Sequence, residues 1–75
     1  LAIYLGETTT EQALMITSVL LIIIVELLNS SVEATVDRIS IKRHKLAKRA
    51  KDIGSAAVFF SLINAATIWF LILVK

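Results

Sequence analysis

The sequence predicts an all-α membrane protein: a transmembrane helical bundle with two full spans and the end of a third. Three observations carry that prediction. The 75 residues are 57% hydrophobic and their mean hydropathy is +0.84, too apolar for a surface that faces water. There is no proline and only two glycines, so little interrupts a long helix. The charge is unevenly placed: the net value is +2, yet seven of the eight Lys and Arg residues fall between Arg38 and Lys51 and divide two apolar runs. A water-soluble core of this length would be marginal. With no cysteine in these residues, a disulfide framework or thiolate metal site is excluded for them.

Residues 1–5 are apolar but cannot span a bilayer, which takes about 20 helical residues. They read as the end of a first transmembrane helix or as a loose apolar terminus, with Tyr4 suited to the membrane interface. Gly6-Glu-Thr-Thr-Thr10 is a polar turn, and Thr8 and Glu11 have the Thr-x-x-Glu spacing of a capping box. Residues 11–37 form the second transmembrane helix, about 27 residues and ~40 Å long, so its polar end should project beyond the ~30 Å hydrocarbon layer. Residues 38–51 are a basic loop, part of it helical along the membrane surface because Ile39, Leu46, Ala47 and Ala50 break the charge run, and its Lys and Arg density marks the cytoplasmic side. It grips anionic lipid or binds a polyphosphate. Residues 52–74 are the third transmembrane helix, with Asp52 as its cap or as a functional ligand. Gly54, Ala57, Ser61 and Ala65 make a small-residue packing stripe, Asn64 an interhelical hydrogen bond, and Trp69 an interfacial anchor.

The feature that asks for a function is the polar stripe at the end of the second helix. Glu26 closes the apolar run that starts at Ala13, and Asn29, Ser30, Glu33 and Asp37 follow at steps that keep all five within an arc of about 100°. A carboxylate at a bilayer centre costs ~2.5–3.5 kcal/mol, so it faces a bundle interior and has a task. Glu26 and Glu33 are two turns, ~10 Å, apart and cannot chelate one ion together. One as base and one as part of a metal site is the better division. A single Glu33 suits Mg²⁺, which is held by one or two carboxylates plus substrate phosphates and water. Partial burial of Glu26 would raise its pKa toward that of a general base. Lys51 could neutralise a phosphate, and Lys51 and Ser55, four apart, share a face.

Three functions fit an intramembrane carboxylate stripe beside a basic loop. One is an enzyme acting on a membrane lipid with a water-soluble phosphate donor. Another is a proton- or ion-translocating hairpin subunit, although such hairpins pack through glycine repeats around a lone acid. The third is a structural span whose stripe holds an oligomer together, for which three acids are more than is needed.

The stretch Glu26-Leu-Leu-Asn-Ser-Ser-Val-Glu33-Ala-Thr-Val-Asp37, then His44, then Ala50-Lys-Asp-Ile-Gly-Ser-Ala-Ala-Val58, closely resembles the prokaryotic diacylglycerol kinase family. The Gly-Ser-Ala-Ala-Val ending resembles its diacylglycerol-specific branch, of Gram-negative type, more than the related undecaprenol kinases. The resemblance implies an ATP-dependent, Mg²⁺-dependent lipid kinase that converts diacylglycerol to phosphatidic acid in phospholipid biosynthesis. It implies a homotrimer in the bacterial inner membrane with its sites between subunits on the cytoplasmic side, and no nucleic-acid partner. By position, Glu26 corresponds to the general base on the lipid hydroxyl and Asn29 to a residue that orders the site. Glu33 corresponds to the Mg²⁺-binding carboxylate, which binds the metal with ATP. Lys51 and Asp52 correspond to the pair that holds the nucleotide phosphates and supports the site, and His44 to a loop residue near the nucleotide, with Lys42 and Arg43 beside it. Ser55 and Trp69 correspond to the lipid pocket. Family members also have an N-terminal amphipathic helix and a complete first membrane helix bearing a second metal-binding glutamate. On the resemblance, residues 1–5 end that helix and the 75 residues are part of a longer chain.

Overall fold

A computed structural model describes residues 2–39 and 44–75, and the described residues form a long antiparallel helical hairpin. The order is α1 (Ala2–Leu5), α2 (Thr9–Ile39) and α3 (His44–Leu73). The molecule measures 53 × 17 × 14 Å, longer than the ~30 Å hydrocarbon thickness of a bilayer.

Both long helices are apolar and long enough to cross a membrane, each with a mean hydropathy of 2.2 over its most apolar window. Their large side chains point outward: Leu27 is 67% exposed and Phe60 65%. A soluble hairpin would reverse that arrangement. What the helices keep between them is a mixture of small, polar and medium-sized apolar side chains. On α2 the less exposed positions include Glu11, Met15, Ser18, Ile22, Val25, Asn29, Glu33 and Val36. On α3 they include Ala47, Lys51, Gly54, Val58, Ser61, Ala65, Ile68 and Ile72. The steps are of three and four, as in helices that cross at a shallow angle. In hydrocarbon there is no hydrophobic drive to pair two helices, so close approach at small residues and hydrogen bonds across the seam must hold them.

The expected turn is present in detail. Thr8 Oγ1 accepts the Glu11 N–H at 3.1 Å, while Glu11 Oε1 accepts the N–H groups of Glu7 and Thr8 at 3.0 and 3.2 Å. This is the reciprocal capping box read from the sequence. Gly6 is buried beneath it, where a Cβ would meet Gln12 Cγ at 2.9 Å, and its carbonyl accepts from Gln12 Nε2 at 3.1 Å. The short α1 returns against the hairpin, with Ala2 buried beside Met15 and Ile72.

Two boundaries differ from the sequence reading. The basic stretch 38–51 is partly helical, as expected, but its helical residues extend the two spans: α2 runs on to Ile39, and α3 starts at His44, eight residues before the expected 52. Residues 45–51 contain good helix formers, Lys, Leu, Ala and Arg, and no breaker, so the helix starts in the charged segment and runs through the apolar one. Asp52 therefore lies inside α3 and caps nothing. The expected interhelical bond from Asn64 does not form among the described residues. Trp69 makes the cross-hairpin bond instead, its Nε1–H donating to Ser18 Oγ at 3.0 Å, so the indole polar edge faces inward and not toward an interface.

At the turn end, Lys75 bridges Glu7 at 3.4 Å and Glu11. The hydrogen bond to Glu11, ahead of the weaker pull of Glu7, raises the Lys75 pKa above the ordinary lysine value. A raised folded-state pKa means that the clasp contributes fully below the unfolded value of about 10.4 and is lost as pH climbs through the raised one. The stability difference between the protein and Lys75→Met in detergent unfolding should therefore hold at neutral pH and vanish at strongly alkaline pH. A difference independent of pH would show that the ion pairs contribute nothing. Thr8→Ala should cost about 1 kcal/mol through loss of the cap, measured in the same unfolding experiment.

Candidate functional site

The polar stripe straddles the seam of the hairpin. With ~100° per residue, Asn29 and Glu33 lie on the seam side of α2, and Glu26, Ser30 and Asp37 lie on the flank beside it. The exposures agree: Asn29 and Glu33 are half-buried, while Glu26, Ser30 and Asp37 are exposed. The expectation of a partly buried Glu26 is not met within the hairpin, because its position carries it past the contact line with α3.

Across the seam, Lys51 forms an ion pair with Asp37 at 2.6 Å, and the Glu33 carboxylate also acts electrostatically on its ammonium. Antiparallel packing brings the same flank of α3 forward, so Lys51 and Ser55 stand on the side of the hairpin that bears Glu26, Glu33 and Asp37. Ser55 is exposed there. Asp52 is exposed but lies ~160° around α3 from Gly54, on the outward face. The hairpin thus joins Asn29, Glu33, Asp37 and Lys51, sets Glu26 two turns along the same flank, and leaves Asp52 outside the group. Lys42 and Arg43 lie outside the described residues. His44 is the first residue of α3, and its side chain is outside the description too.

The floor of the site is a close approach that the sequence reading did not anticipate. A Cβ on Gly54 would stand 1.9 Å from Asn29 Oδ1, so the amide occupies the space that glycine leaves. Asn29 Oδ1 is buried with no hydrogen-bond partner, a costly state for a carbonyl oxygen in apolar surroundings. Beside it, Val25, Leu28, Val32 and Ala57 line an apolar recess of about 170 Å³.

At the other end of the Glu26 flank lies an apolar groove of about 270 Å³ lined by Ala2, Met15, Ile16, Val19, Leu20 and Trp69. Val19, Glu26 and Glu33 succeed one another at seven-residue steps and drift by only about 20° per step. Groove and stripe therefore share one flank, with Leu20 ~9 Å from Glu26 along the axis. Among the described residues no three His, Asp or Glu side chains cluster to hold a metal ion.

Residues 1–73 match the family described as prokaryotic diacylglycerol kinase, and the chain belongs to that family. A diacylglycerol kinase of Haemophilus influenzae is 55% identical over 69 residues, 92% of this chain and 58% of the relative. One of Pseudomonas aeruginosa is 54% identical over 72 residues, 96% of this chain and 58% of the relative. One of Escherichia coli K12 is 47% identical over 73 residues, 97% and 60%. The chain thus spans about three fifths of the length of these curated relatives. Family membership removes the rotary-hairpin reading.

The Asn29–Gly54 contact gives a direct test. Gly54→Ala should destabilise the hairpin by about 1–3 kcal/mol, the usual range for overpacking a tight site. Adding Asn29→Ala should recover much of that loss, because the two substitutions share one volume. Additive losses in the double variant, measured by detergent unfolding, would contradict the close approach.

Proposed function

We propose that the protein is an ATP-dependent diacylglycerol kinase of the bacterial inner membrane, working as a homotrimer. The observation that carries this reading is the shared flank: an apolar groove, a carboxylate at its end, then a carboxylate and a lysine at the water-facing end of the hairpin. Membership of a family named for this activity supports the same choice. The seven cationic residues at that end favour its placement on the cytoplasmic side.

In the proposed reaction the free hydroxyl of diacylglycerol meets Glu26, whose carboxylate takes the hydroxyl proton. The lipid oxygen forms a bond to the γ-phosphorus of ATP as the bond from that phosphorus to the β,γ-bridging oxygen breaks. The products are phosphatidic acid and ADP. Lys51 exchanges Asp37 for nucleotide phosphate oxygens, a charge-assisted contact, and Lys42 and Arg43, beside His44, add positive charge near the nucleotide. Asn29 orders the site from the seam, its amide held in the space that Gly54 leaves. Asp52 supports the nucleotide site from the outward face, where a neighbouring subunit could meet it. Ser55 and Trp69 line the path of the lipid.

Glu33 fits Mg²⁺ on its donor chemistry: one half-buried carboxylate beside a phosphate-binding lysine leaves coordination positions for phosphates and water. When bound, the ion neutralises charge on the transferring phosphate. The remaining work belongs to the chain: Glu26 accepts the proton, Lys51 positions the phosphates, and the groove orients the lipid and keeps water from the hydroxyl.

With full-length protein in mixed micelles, Glu26→Gln should lower turnover by at least about 10²-fold, the scale of general-base loss, while ATP still binds. Undiminished turnover would remove the base assignment. Glu33→Gln should raise the Mg²⁺ concentration needed for nucleotide binding, and an unchanged Mg²⁺ dependence would take it out of the metal site. Diacylglycerol and undecaprenol in competition decide between the family's two lipid alcohols; preferential labelling of undecaprenol would overturn the substrate assignment.

A further inference from the structure

Ser18 sits within the apolar half of α2 and is 1% exposed. Its hydroxyl is used twice. Oγ–H donates to the Met15 carbonyl oxygen at 2.7 Å, and Oγ accepts the Trp69 indole N–H at 3.0 Å. An indole nitrogen can only donate, so the polarity of the pair is fixed: the serine proton goes to its own helix and its lone pair to the partner helix. Packing alone does not call for a hydroxyl here, and Ser18, well inside α2 (Thr9–Ile39), caps no helix end. The bond joins α2 to α3 at a serine that is almost fully buried, so the indole N–H has one protein partner and the ring one preferred setting. That ring is also a wall of the groove whose other sides include Met15, Val19 and Leu20.

We propose that Ser18 is a positioning residue for the lipid substrate. It holds the Trp69 indole across the groove and so sets how closely one hydrocarbon chain is gripped below the Glu26 carboxylate. The occupant follows from continuity: the groove lies on the same flank as the polar stripe, with Leu20 ~9 Å along the axis from Glu26, so an amphiphile whose polar end reaches Glu26 lays its tail there. This deepens the proposed kinase function and rests on it. Without the bond the indole can swing about its side-chain torsions, and the groove loses a defined width. A long chain, which passes the indole, feels the change, and a short one does not.

The test uses full-length protein in mixed micelles, with dioleoyl and dihexanoyl diacylglycerol as alternative substrates. Ser18→Ala should raise KM for the long-chain lipid about 3- to 10-fold, the scale of one interhelical hydrogen bond in a membrane. The kcat, the KM for ATP and the KM for the short-chain lipid should hold. Ser18→Thr, which keeps the hydroxyl, should restore the long-chain KM, and Ser18→Ala should add nothing in a Trp69→Phe background. Ser18→Cys, a weak acceptor, should fall between and serves if the alanine protein does not fold. Binding is read separately, as quenching of Trp69 emission (the difference from Trp69→Phe) by brominated diacylglycerol, which should need more lipid in Ser18→Ala. An equal KM shift for both lipids, a fall in kcat alone, or a Ser18→Ala effect that persists without Trp69 overturns the assignment. So does an absence of saturable quenching in the unsubstituted protein. Saturable quenching weakened by Ser18→Ala, without phosphorylation of diacylglycerol, leaves Ser18 in place and overturns the kinase reading. Normal turnover with Ser18→Ala indistinguishable in KM and quenching does the reverse.

Discussion

Everything in this hairpin depends on two helices meeting in a medium that does not push them together. Hydrocarbon solvates leucine as well as another leucine does, so the seam relies on shape and hydrogen bonds. Gly54 lets the α2 side chain Asn29 enter the volume of a missing Cβ, and the fully buried Ser18 joins the helices through Trp69. The large aliphatic and aromatic side chains, Leu27, Leu28, Phe59 and Phe60 among them, are left for lipid or neighbouring chains.

That constraint decides where chemistry can be placed. The seam uses Asn29 and Glu33 and pushes Glu26, Ser30 and Asp37 onto its edge, so one flank carries the acids. Antiparallel pairing adds Lys51 to it, tied to Asp37. At the opposite end of the same flank the surface turns apolar around Trp69. A hairpin with this polarity suits a reaction between a substrate dissolved in the bilayer and one dissolved in water. Each end is also closed by charge: Lys75 with Glu7 and Glu11 at the turn, Lys51 with Asp37 at the last position of the stripe. Their exposure leaves Lys51 free to change partners at little cost, since surface ion pairs are weak.

Much of this was legible in the sequence, because membrane helices are written in long unbroken runs. The two spans, the Thr8–Glu11 capping box and the one-arc stripe follow from hydropathy and 3.6-residue periodicity. The start of α3 was not, since a basic segment rich in Lys, Arg and Ala reads equally as surface loop or helix. Only its continuity with the apolar run settles it. Ser18 left one signal, a small polar residue at a step of three or four from Met15 and Ile22, but its partner lies 51 residues away. Pairing at that distance depends on the register of the hairpin, as do the Asn29–Gly54 contact and the Lys75 clasp. Asp52 follows Lys51 in sequence, yet successive helical residues point ~100° apart, so one hairpin does not by itself bring Asp52 to the Lys51 flank.

The central claim is that one flank of α2 meets the nucleotide. It is tested most directly by single cysteines at Ser30, on that flank, and Thr35, on the other side, in the full-length protein in bilayers with any other cysteine replaced. Labelling by a membrane-impermeant thiol reagent should be slowed by Mg²⁺ and a non-hydrolysable ATP analogue at Ser30→Cys and left unchanged at Thr35→Cys. Equal protection of both, or protection of Thr35→Cys alone, would contradict the account.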